Sequence, residues 1–125
     1  LPPDATVFVA TQPVDMRLSF DRLAGLVREQ LGADPRGETL VVFHNRRRTH
    51  LKLFWHDRRG YIVLYKRLDR GTYRIPLTIP PDATSVQVSR RELTLIMQGV
   101  DHALLRRARR RRREKQEPHR ETDPT

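Results

Sequence analysis

Ten cationic side chains crowd into residues 44–75: Arg46, Arg47, Arg48, Lys52, Arg58, Arg59, Lys66, Arg67, Arg70 and Arg74, against Asp57 and Asp69 alone. A guanidinium offers a planar fork of N–H donors that matches phosphate oxygens two at a time. With ten basic and two acidic groups, a net +8, this stretch points to an anionic partner, and a nucleic-acid backbone suits it best. Arginine runs in loops are also found merely solvated, so the charge names a chemistry rather than a partner. Lys66-Arg67 beside Tyr65 could set charge and a stacking ring on one surface. A half-buried Tyr65 with a wet hydroxyl is the plain alternative. A second block, Arg106–Arg113, holds seven arginines in eight positions, among them Arg109, Arg110 and Arg111.

Other chemistries find less support. His44, His50 and His56 recur at six-residue intervals, a spacing that fits no zinc pattern. Asp15 and Asp21 fall on different sides of a predicted helix, and Asp57 and Asp69 read as turn residues, which leaves no pair to hold two magnesium ions. No serine or threonine has a matched base, and no glycine-rich phosphate loop is present. The absence of cysteine excludes thiolate chemistry and disulfides. The expectation is a non-enzymatic protein with no cofactor, no metal and no small-molecule substrate.

The elements that must position the arginines follow from periodicity. Leu51, Leu53 and Trp55 alternate with Lys52 and Phe54, and Ile62 and Leu64 alternate with Tyr61, Val63 and Tyr65, the two-residue period of strands. Trp55 shares its face with Leu51 and Leu53 and is expected in the core. His56–Gly60 and Asp69–Thr72 carry Asp and Gly for tight turns, so residues 43–75 predict a three- or four-stranded antiparallel meander. Leu40–Phe43, apolar without interruption, predicts its central strand. Thr6–Ala10 predicts a short strand at a sheet edge. An amphipathic helix is expected from Asp15, as N-cap, to Gly32, burying Phe20, Leu23, Ala24, Val27 and Leu31. Pro76–Thr84 predicts a connector. Ser89 and Glu92 form a capping box with Val88 and Leu93 as its staple, opening a helix that buries Leu93, Ile96, Met97 and Val100 and stops at Gly99.

The expected fold class is therefore α+β: a small antiparallel β-meander packed with two amphipathic helices in a single domain over residues 1–105, then an Arg-rich tail at 106–125. That tail has no apolar face and is expected to be disordered. No apolar run reaches the ~20 residues of a membrane span, and no signal-peptide core precedes the first strand. A soluble cytoplasmic, nucleoid-associated protein with no membrane partner is expected, its first residues missing since it opens on Leu1.

Val14-Asp15-Met16-Arg17, Phe20-Asp21 and Leu23-Ala24 resemble the opening motif of the TnpB-type accessory proteins, encoded by the second open reading frame of bacterial insertion sequences of the family numbered sixty-six. These are unrelated to the RNA-guided nuclease of the same name. The resemblance continues through Phe43–Arg48, Leu51-Lys52-Leu53, Trp55-His56-Asp57, Gly60, Tyr65–Leu68 and Gly71, then Leu95-Ile96 and Gly99-Val100-Asp101. It covers roughly residues 5 to 102. It implies a non-catalytic accessory factor of DNA transposition, encoded beside a DDE-type transposase and needed for efficient movement of the element. It supplies no catalytic residues. Leu18-Ser19 departs from the usual Lys-Gly, and the arginine tail is longer than typical, so no role is carried over to it.

Two functions fit. In the first, the meander's cations and the tail bind the backbone of transposon-end DNA and assist the transposase. In the second, the Ser89–Gly99 helix or the Thr6–Ala10 edge docks on the transposase, with no direct DNA contact.

Overall fold

The computed structural model describes the backbone of residues 1–75 and 80–121, with side chains as far as Lys115. Its elements are β1 (Thr6–Ala10), α1 (Phe20–Glu29), β2 (Thr39–His44), β3 (His50–His56), β4 (Tyr61–Arg67), β5 (Ser85–Val88), α2 (Arg90–Gln98) and α3 (His102–Glu121). The strands form one five-stranded sheet in the order β4-β3-β2-β1-β5. The expected meander is its β2-β3-β4 half, with antiparallel partners such as Val42↔Leu53 and Leu53↔Leu64. As its uninterrupted apolar run requires, β2 is the middle strand, with Leu40, Val41, Val42 and Phe43 all buried.

Alternation then divides the core in two. Val7, Val9, Leu40, Val42, Leu51, Leu53 and Trp55 project to one face, where Leu93 and Ile96 of α2 cover them. Val41, Phe43 and Phe54 project to the other, where Leu23, Ala24 and Val27 of α1 cover them. Two amphipathic helices thus sandwich the sheet, an α+β architecture. The capping box of α2 forms as expected: the Ser89 hydroxyl accepts from the Glu92 amide, and the Glu92 carboxylate accepts from the Ser89 amide, both at 3.1 Å. Gly99 ends the helix at φ 70°, with Leu68 pressed where a side chain would sit.

Three expectations are corrected. First, β1 is interior: it pairs parallel with β2 and antiparallel with β5, a strand the sequence reading did not assign. Just past β1, Thr11 ties that join by donating its amide to the Thr84 carbonyl at 3.0 Å and its hydroxyl to the Ala83 carbonyl at 2.8 Å. Second, α1 starts at Phe20, not at Asp15. The Asp15 carboxylate is held by the Arg17 guanidinium at 2.7–3.1 Å and by the Arg17 amide at 2.9 Å, a local turn that competes with capping. Third, Phe20 is exposed, outside the stripe of Leu23, Ala24 and Val27. The last element, α3, runs from His102 to Glu121 and so takes in Arg106–Arg113. Ala, Arg, Leu, Lys, Gln and Glu are the strongest helix formers, and the Asp101 carboxylate starts the helix by accepting from the Ala103 and Leu104 amides at 3.0 and 3.3 Å. The Pro76–Thr84 connector lies partly outside the described residues.

Candidate nucleic-acid interface

The loop between β2 and β3 presents Arg46, Arg47 and Arg48, and Asn45 shapes it. The Asn45 side-chain oxygen accepts from the Thr49 and His50 amides at 2.9 and 3.0 Å, and its amide donates to the Thr49 hydroxyl at 2.9 Å. The chain turns at Arg48, whose φ of 59° lies in the left-handed region. That conformation costs an L-residue about 1–2 kcal/mol. It is held by the Arg48 amide donating to the Asn45 carbonyl at 3.1 Å and by the Arg48 carbonyl accepting from Tyr73 at 2.7 Å.

Register brings the other cations alongside. His50 faces Arg67, so the end of β4 lies beside the start of β3, and the Leu68 amide donates to the Thr49 carbonyl at 3.0 Å. Arg46, Arg47, Arg48, Arg67 and Arg70 therefore gather, exposed, at one end of the sheet. The next loop ties α3 to the same end. Thr72 and Val100 exchange two backbone hydrogen bonds of 3.0 and 2.8 Å, and the Thr72 hydroxyl meets the His102 ring at 2.9 Å. Along α3, Arg106, Arg109, Arg110 and Arg113 share one side by helical spacing, with Arg111 turned away from them. All five are solvent-exposed.

The remaining predicted cations do not join this end. Arg58 and Arg59 occupy the opposite turn, a seven-residue strand away, about 20 Å at strand rise. There Asp57 accepts from the Arg59 and Gly60 amides, both at 3.0 Å, which holds its carboxyl below the usual range. Positive φ falls on Arg58 at 81° rather than on Gly60. Lys52 is buried, its ammonium donating to the Leu18 carbonyl at 2.7 Å. Lys66 donates to the Met97 carbonyl at 2.8 Å, a cation on the last turn of α2. Lys52 is thus buried and Lys66 half-buried, each tied to a distant backbone carbonyl, and the exposed cations of this stretch are the five-arginine end, the Arg58-Arg59 pair and Arg74. Arg74 is exposed beside Glu92, Leu95 and Ile96 of α2.

Trp55 is core, as expected. His44 is buried between the Ala10 and Asn45 carbonyls at 2.9 and 3.2 Å, and His56 packs edge-on to Tyr61. Among the described residues no three His, Asp or Glu side chains converge on a metal position, and no helix is long and apolar enough to cross a membrane. The one ion pair within 4.0 Å among them is Arg17–Asp15. Its hydrogen bonds pull the Asp15 carboxyl down to about 2. Among the described residues, no carboxylate lies within that distance of the arginines of the basic end. Sequence reasoning missed Asn45 and Thr72, the residues that fix this end; an Asn opening a hairpin loop with Thr four positions on was the available signal.

The fold and this end define a small α+β protein with a mixed sheet, two covering helices and one strongly basic rim. By sequence the chain belongs to the IS66 Orf2-like protein family, whose pattern matches residues 5–107. Two relatives come from Sinorhizobium fredii. The uncharacterized protein y4hO is 35% identical over 95 residues, 76% of this chain and 80% of that one. The uncharacterized protein y4jC is 33% identical over 101 residues, 81% of this chain and 84% of that one. No solved structure matches. Family membership supports an accessory role in the transposition of an insertion sequence.

Proposed function

We propose that the chain is a non-catalytic accessory protein that binds the backbone of its element's DNA through the five-arginine end of the sheet and through α3, and so assists a DDE-type transposase. The observation that carries this reading is the convergence of Arg46, Arg47, Arg48, Arg67 and Arg70 from two loops and a strand end, without an acidic partner among the described residues. Surplus guanidinium that the fold does not use is suited to phosphate, where each contact releases counterions and makes affinity salt-dependent. The loop is set by Asn45 and the Arg48 turn before any ligand arrives, which lowers the ordering cost of binding. Of the docking surfaces in the alternative reading, the β1 edge is not available, since β2 and β5 flank it.

The test is fluorescence anisotropy against a transposon-end duplex and a scrambled duplex across a salt series. Replacing Arg46, Arg47 and Arg48 together with alanine should weaken binding and flatten the plot of log K against log salt by about 2 to 3, near 0.9 for each lost phosphate contact. An unchanged slope would reject the site; intact binding to the transposase with no DNA binding at all would favour docking.

A further inference from the structure

One aromatic ring at the basic end is left over by the fold. Among the sheet's aromatics Phe43, Phe54 and Trp55 are buried and Phe8 and Tyr61 half-buried, whereas Tyr65 is 53% exposed. Period-two alternation puts Tyr65 and Arg67 of β4 with their partners Lys52 and His50 of β3 on the face that α1 covers further along the sheet. The Tyr65 ring is held in place from within. The Lys52 ammonium sits 4.8 Å from its centroid and is itself fixed by the Leu18 carbonyl at 2.7 Å. The His50 ring stands 5.8 Å away at 41°, anchored by the Thr49 hydroxyl at 2.8 Å and the Asn45 amide at 3.2 Å. His50, Tyr65 and Arg67 line an open cleft of about 230 Å³. It adjoins the arginine loop through the His50↔Arg67 pairing.

A fixed ring with one open face, beside guanidinium groups that have no carboxylate partner among the described residues, is the combination that binds unstacked nucleotides: the ring takes the base and the cations take the phosphates. Resting on the nucleic-acid reading above, we propose that Tyr65 is a stacking platform for an unpaired nucleobase, with Arg67 and the Arg46–Arg48 loop on the adjoining phosphates. The basic end therefore prefers single-stranded DNA, or a duplex with splayed end bases, to intact duplex, because a paired base offers no free face. Lys52 is a positioning residue here, holding the ring without touching the nucleotide.

The experiment compares the full chain with its Tyr65→Ala and Tyr65→Phe variants against an oligothymidylate of about 15 nucleotides, the matching oligouridylate and a duplex of equal length. The wild type should hold the oligothymidylate more tightly than the duplex at equal salt. Tyr65→Ala should weaken single-strand binding roughly tenfold or more while leaving the duplex within about twofold and the salt slope unchanged, and Tyr65→Phe should restore it. The same loss with oligouridylate supports an unpaired-base site indifferent to the sugar. Equal losses for strand and duplex, or none for either, overturn the platform while leaving the phosphate reading intact. Failure of the wild type to bind any of the three in a salt-dependent way overturns both. Because Tyr65 is exposed, thermal melting by circular dichroism should show the variants folded like the wild type.

Discussion

Replacing Gly71 with alanine should destabilise the protein by about 3 kcal/mol and unfasten α3 from the basic end. Gly71 has φ 78°, and a Cβ there would fall inside the envelope of the Val100 carbonyl oxygen, 2.7 Å from its carbon and 3.0 Å from the Asp101 Cα. All three are backbone atoms, so no side chain can swing aside. The left-handed conformation costs a residue with a Cβ about 1–2 kcal/mol. Relieving the clash also parts Thr72 from Val100, and their two hydrogen bonds are each worth about 1 kcal/mol. Together these give about 3 kcal/mol, a large share of the 5–15 kcal/mol typical of a domain. The assay is urea unfolding followed by the fluorescence of Trp55, the single tryptophan, which is buried in the core. Gly25→Ala is the opposite-sign control. It lies inside α1 with nothing within 4 Å of its added Cβ, so it should stabilise by about 0.5–1 kcal/mol. A Gly71→Ala protein within about 0.5 kcal/mol of wild type would refute the claim that this close approach is rigid.

Other outcomes follow from placement and pairing. The double change Arg58→Ala, Arg59→Ala should leave duplex affinity and salt slope close to wild type, since these residues lie at the far end of β3; a loss matching the Arg46–Arg48 triple would place the DNA along the whole sheet. Lys52→Met should likewise leave the duplex salt slope unchanged, yet lower stability by about 1–2 kcal/mol because the Leu18 carbonyl loses its charged donor; denaturant titration and the salt series separate the two effects. The Asp15 carboxyl, followed by NMR, should titrate near 2 and return toward 3.8 in Arg17→Ala. Because its pKa is lowered on folding, its contribution is present above the unfolded value and is lost as pH falls toward 2. A midpoint near 3.8 in the wild type would show that the Arg17 pair does not hold in solution.

The strands of the meander, both covering helices and the capping box of α2 were legible from residue order alone. Each rests on short-range signals: alternation at Leu51–Trp55, helical spacing at Leu23–Val27, and the Ser89/Glu92 reciprocity. Composition also set the surplus of guanidinium and the absence of thiols. Where neighbours competed for one group, local reading failed: Asp15 bonded Arg17 instead of capping α1.

Which charges lie side by side was set by how the elements pack. Seven of ten basic residues close in sequence separate into two ends because a hairpin sends successive turns to opposite ends of a sheet, about 20 Å apart. Lys52 and Lys66 reach carbonyls 34 and 31 residues away in sequence, which buries Lys52 and half-buries Lys66. That β1 is interior depended on β5, a four-residue strand whose pairing is set by a partner 75 to 81 residues distant. Spacing along a chain constrains what a residue can do with its near neighbours; which distant carbonyl, ring or strand it meets depends on how the elements pack.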